Sequence, residues 1–150
     1  MKKWINNMLS MICVVIIATM FVACGSDSDN GWVSVTKEQL IGKWINTKIV
    51  WIDSRDPQPD EYTYTSNSRY LLLNADGTGM VNPYNLFEAE IRGTFTWKLS
   101  GNVLTITESN GDIETFTVTG ISSTNLELTW FDNYEGISIK EISAFTRAKE

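Results

Sequence analysis

Few residues in this chain could do chemistry, and the types that are missing say as much as those present. The 150 residues include no histidine. The commonest general base and the commonest metal ligand are therefore absent. A serine nucleophile would need lysine or another unusual base, and no such spacing stands out. Glu88 and Glu90 are paired carboxylates of the kind that cleave glycosides, and they equally suit the wet face of one strand. No glycine-rich phosphate loop opens a helix. Residues 53–61 hold Asp53, Asp56, Asp60 and Glu61, which suit calcium by charge. They lack a glycine-centred ligand spacing, and Pro57 and Pro59 mark the stretch as a solvated loop. Asn74-x-Asp76-Gly77 is also oxygen-rich, but the further acids and distal glutamate of a calcium loop are absent, so it reads as a hairpin turn. The expectation is a non-enzyme with no metal and no cofactor.

One thiol and a set of aromatics remain. The cysteines are Cys13 and Cys24, both ahead of the domain, so no disulfide framework is available to it. Lys2 and Lys3 precede an apolar run over residues 8–22, and the chain then reads Phe21-Val22-Ala23-Cys24-Gly25. A basic start, an apolar core and a small-residue exit make a secretory signal peptide. The run falls short of the roughly 20 residues that span a bilayer. Val22-Ala23-Cys24 resembles a bacterial lipobox, with Phe21 in the place of the usual leucine. The resemblance implies cleavage after residue 23 and a diacylated Cys24 as the mature N-terminus, held in membrane lipid by its acyl chains. Residues 26–31 are polar and flexible, a tether. No aspartate follows Cys24 directly, which leans to the outer membrane by resemblance to enteric sorting signals. Asp27 and Asp29 resemble the acidic export tags of surface lipoproteins and equally suit a solvated linker.

The aromatics need a frame to hold them. Length suggests one domain, and 43% hydrophobic content can fill one core. Eighteen acidic against 12 basic residues give a net charge of −6, which argues against nucleic acid. The expected organisation is a signal peptide over 1–23, a lipidated cysteine and tether over 24–35, and a folded domain over 36–150.

Within the domain, Thr36 and Gln39 fit a capping box, so a helical turn precedes Gly42. Residues 43–53 read as a strand of β-branched and aromatic residues. Trp44 has one parity and Ile45, Ile49 and Trp51 the other, which a bulge would reconcile. Residues 62–65 alternate and extend the next strand, 70–74, which turns at Asp76-Gly77 into 78–81. Further strands follow at 93–99, 103–107, 114–119, 126–130 and 137–147, with the last turn at 132–136. Eight strands at short spacing leave no room for parallel crossovers. The pattern suits an all-β, eight-stranded antiparallel up-and-down barrel, with a flattened sandwich as the alternative.

Gly42-Lys43-Trp44 resembles the G-x-W motif of lipocalins, on a first strand after a helical turn. Arg147 falls where that family has an arginine covering the tryptophan. The phrases Leu73-Asn74-Ala75-Asp76-Gly77-Thr78-Gly79 and Phe95-Thr96-Trp97-Lys98-Leu99-Ser100-Gly101-Asn102 resemble the small bacterial lipocalin-like lipoproteins. The family's T-D-x-x-Y motif has only Phe131-Asp132-Asn133-Tyr134 near it. The resemblance implies a barrel closed by Gly42, Trp44 and Arg147 and a small hydrophobic ligand inside it. The walls of such a cavity would be Phe95, Trp97, Leu104, Phe116, Leu128 and Trp130. The same side chains could instead fill the barrel and leave a scaffold for interactions.

Overall fold

The computed structural model describes residues 34–82, 91 and 93–149. The signal peptide, Cys24, most of the tether, Glu88 and Glu90 lie outside them. One helical turn, α1 (Lys37–Leu40), precedes nine strands. These are β1 (Gly42–Asp53), β2 (Asp56–Thr63), β3 (Tyr70–Leu73), β4 (Thr78–Asn82), β5 (Thr94–Ser100), β6 (Val103–Glu108), β7 (Ile113–Ile121), β8 (Asn125–Tyr134) and β9 (Ile137–Arg147). All neighbours pair antiparallel. The order is β2-β1-β3-β4-β5-β6-β7-β8-β9, and β1 also pairs with β9. Eight strands therefore close a barrel, and β2 is added outside the ring.

The capping box forms as its residues require. The Thr36 hydroxyl accepts from the Gln39 N–H, and the Gln39 side chain accepts from the Thr36 N–H at 2.8 Å. The turn spans one end of the barrel. Lys37 reaches over the Trp97 ring on β5, while Arg147 on β9 donates to the Gln39 carbonyl. Leu40 is fully buried in the core.

β1 pairs with three strands, and its irregularity makes that workable. Its register to β9 slips between Asn46 and Lys48, with Thr47 as the extra residue. The bulge moves the inward parity from even to odd, so Trp44 and Trp51 both face the interior. Gly42 to Ile45 pair with β3, and the far half of β1 pairs with β2. Buried Asn46 stabilises the slip by donating to the carbonyls of Ala144 and Lys48 at 3.2 and 3.3 Å.

Three local expectations are corrected. The stretch 53–61 is no solvated loop, because Asp56–Thr63 pairs with β1 as a strand. Pro57 and Pro59 fall between the Asp56 and Asp60 pairs, where the register to β1 shifts, and an end strand with such an irregularity tolerates residues that cannot donate to the ladder. Residues 62–65 do not extend the following strand, since Tyr62 and Thr63 pair back onto Ile49 and Lys48. The last turn is not the whole of 132–136. β8 continues to Tyr134, and Glu135 and Gly136 make a two-residue turn at φ 51° and 81°. Positive φ at both central positions matches the twist of the flanking strands.

The core is one cluster inside the ring. Trp44, Leu71, Leu73, Phe95, Trp97, Leu104, Ile106, Phe116, Val118, Leu126, Leu128 and Phe145 are buried together. The wall is uneven in height. At roughly 3.3 Å per residue, the 12-residue β1 is about three times as tall as the four-residue β3. Hairpins β1–β2 and β8–β9 therefore rise together on the tall side. There the Ser54 N–H donates to the Ser138 carbonyl at 2.9 Å.

Candidate functional site

The three closing residues meet as a unit. Trp44 and Arg147 are direct partners across the β1–β9 seam. The guanidinium carbon sits 4.1 Å from the indole centroid. Arg147 donates to three carbonyls, Gln39 and Ile41 at 2.7 Å and Ser123 at 2.8 Å. Beneath the ring, Trp44 Nε1 donates to the Leu40 carbonyl at 2.8 Å. Gly42 has φ 135°, and a Cβ there would come within 2.6 Å of Arg147 Nη1. Glycine is required by both the backbone angle and the close approach. Strand, helix and seam are thus fastened by one cation over one ring.

The six proposed cavity walls gather at this end of the barrel and toward its middle. Phe95, Trp97, Leu104, Phe116 and Leu128 are each at most 4% exposed and belong to one cluster. The Phe95 ring lies over Gly79, where a Cβ would be 2.2 Å from it. Trp97 Nε1 donates to the carbonyls of Thr78 and Asn74 at 2.9 and 3.2 Å, tying β5 to the β3–β4 turn. Trp130 differs. It is only partly buried against the cluster, and its Nε1 donates to Glu114 at 3.0 Å.

Past Trp130 the lining changes character, and sequence reading missed this. Asp60, Trp51, Glu141 and Trp130 are register partners in one row across β2, β1, β9 and β8. All four face inward. Glu141 is 2% exposed and accepts from the Ser143 hydroxyl at 2.6 Å. Trp51 Nε1 is buried with no hydrogen-bond partner among the described residues. Such an orphan costs about 1–3 kcal/mol. The parity of β9 held the signal, since Glu141 and Ser143 share it with buried Phe145. On β1 the same reading required carrying the parity through the Thr47 bulge.

The row opens into a cavity of about 240 Å³ lined by Trp51, Asp53, Arg55, Asp56, Gln58 and Asp60. Arg55 forms an ion pair with Asp53 and also donates its backbone N–H to that carboxylate at 2.7 Å. The Arg55 guanidinium, helped by that N–H, holds the Asp53 carboxyl below the ordinary carboxylate range. Among the described residues, no group of three or more cysteine, aspartate or glutamate side chains could hold a metal ion. The arrangement can bind a small polar molecule on an aromatic wall. Among the described residues it offers no nucleophile–base pair.

The sequence profile of a lipocalin-like domain matches residues 40–128, from the end of α1 into β8. No curated protein and no solved structure matches.

Proposed function

The chain belongs to the lipocalin-like domain family, and from that premise we propose that it is a non-enzymatic lipoprotein that binds a small molecule at the open mouth of its barrel. Acylated Cys24 anchors it to the outer membrane, with the barrel facing outward from the cell surface. The leader and the lipobox-like Val22-Ala23-Cys24 support the anchor. The observation that carries the binding reading is the change of lining along the barrel. Close packing of Phe95, Trp97, Leu104, Phe116 and Leu128 supports a filled end under α1. The opposite end has a cavity walled by Trp51, whose buried indole N–H has no hydrogen-bond partner among the described residues, and half-buried Trp130 lies in the same row. A small ligand needs an apolar wall and a few placed polar groups, and the mouth has both.

The same packed core favours a second reading, a scaffold lipoprotein that binds no small molecule. Native mass spectrometry of the detergent-solubilised full chain separates the two. A co-purified mass of a few hundred daltons, lost in Trp51→Ala, is the expected result. Repeated preparations with only the bare chain mass would favour the scaffold. The anchor is tested by labelling cells with a palmitate analogue. Cys24→Ser should abolish label and leave the leader uncut, and a labelled, mature-sized variant would overturn it.

A further inference from the structure

We propose that the α1 end of the barrel is a docking face for anionic lipid headgroups, and that it turns the mouth away from the membrane holding the chain. This rests on the reading that Cys24 is acylated and adds an orientation to it. The first observation is how the fold sorts charge. The chain as a whole is acidic, with a net charge of −6. Yet among the described residues the α1 end gathers Lys37, Lys43, Lys98, Arg147 and Lys149 against only Glu38 and Asp76. Lys37 lies in α1, and Ala148, just ahead of Lys149, donates its N–H to the Lys43 carbonyl at 2.8 Å. All four lysines are exposed. Lys37 lies over the Trp97 ring, Lys43 over Tyr70 and Arg147 over Trp44. Rings and carbonyls hold a cation in place without neutralising it. The ion pairs among the described residues, Lys48–Glu61 and Arg55–Asp53, involve none of these five. The mouth has the reverse balance, with Asp53, Asp56, Asp60, Asp112, Asp132 and Glu135 against Arg55, Arg69 and Lys140. An anionic surface therefore attracts one end of this molecule and repels the other.

The second observation is where the chain enters. Ser34, the first described residue, leads into α1 at the basic end. Cys24 is ten residues earlier in sequence, a span of at most about 35 Å when fully extended. That length keeps the basic end near the lipid and leaves its angle free, so charge decides which face is turned down. Basic groups beside an anionic leaflet add to the hold of an acyl chain. The third observation is a seat. Lys37 and Lys98 line one open hollow of about 490 Å³ with Val35, Trp97, Leu99 and Gly101. Two ammonium groups over an apolar floor suit a phosphate and the glycerol stem below it.

The test reads orientation on vesicles by energy transfer. The acylated full chain is reconstituted from detergent into phosphatidylcholine, alone or mixed with phosphatidylglycerol, with an acceptor dye on a trace of lipid headgroups. The donor dye sits on Ser123→Cys, in the β7–β8 turn where the Ser123 carbonyl meets Arg147, or on Ser109→Cys, in the β6–β7 turn at the mouth. Both serines are exposed. On mixed vesicles, transfer should be strong from Ser123→Cys and weak from Ser109→Cys. The difference should shrink on phosphatidylcholine alone and in about 1 M salt, where charges are screened beyond about 3 Å. Lys37→Glu with Lys98→Glu, both exposed positions, should remove it in the same way. Equal transfer from the two sites on mixed vesicles, or a difference that neither salt nor charge reversal moves, would overturn the docking face. Retention on phosphatidylcholine alone reports the acyl anchor separately, so either reading can fail without the other. No retention on either vesicle would overturn both.

Discussion

Arg147 illustrates how much one side chain can fasten. Its guanidinium covers Trp44 and takes three carbonyls from α1, the residue after it and the β7–β8 turn. Cation–π contact is worth ~0.5–2 kcal/mol. Water can replace part of the carbonyl bonding at the exposed rim, so those bonds add less than their number suggests. Arg147→Ala should therefore cost about 2 kcal/mol, read as a shift in urea midpoint. Lysine should recover little of it, because a single ammonium cannot reach three carbonyls and stack at once. A Trp44/Arg147 double-mutant cycle checks the coupling. Additive losses would mean the ring and the cation act independently.

Among the elements, the β3–β4 hairpin is the best specified by local chemistry. Asp76 accepts from the Thr78 hydroxyl at 2.7 Å and from its N–H at 2.9 Å, and Gly77 takes φ 85°. The hydroxyl first and the backbone N–H second hold the Asp76 carboxyl below its ordinary pKa. A lowered folded-state pKa gives stability that is complete above the unfolded value, about 4, and lost as pH falls through the folded one. Asp53, lowered by Arg55, acts over the same window. Unfolding midpoints between pH 7 and 2 should fall below about pH 4, and more shallowly in Asp76→Asn. Identical acid limbs would show that the hairpin bonds do not discriminate charge. β2 works differently. Its Pro57, Pro59 and acids disfavour pairing with another chain along its outer edge.

For the whole molecule, the question is whether the barrel under α1 is filled. Trp97 is 3% exposed, and its indole N–H ties two strands. If packing is complete there, Trp97→Ala should cost ~3–5 kcal/mol. If the end instead walls a guest space, the same change should enlarge the guest accepted and cost far less. A denaturation curve of Trp97→Ala beside titration of the wild type with a fluorescent fatty-acid probe separates the outcomes. The expected result is large destabilisation and no probe uptake. A mild loss with tight uptake would return the ligand to Phe95, Trp97 and Phe116.

Local signals carried most of the fold. Asp-Gly and Asn-Gly turns, the capping box and clean alternation in residues 94–106 act within a few residues, so they can be read along the chain. G-x-W and a distant arginine even indicated where the ring closes. Two things depended on contacts distant in sequence. Strand β2 exists because the far half of β1 offers it an edge, which outweighs two prolines and three acids. The polar mouth exists because one bulge at Thr47 brings Trp51 round to face Glu141 and Trp130. A one-residue slip in a strand exchanges inside for outside. The sequence showed that some slip was needed, and only the paired neighbour on β9 decided where it fell.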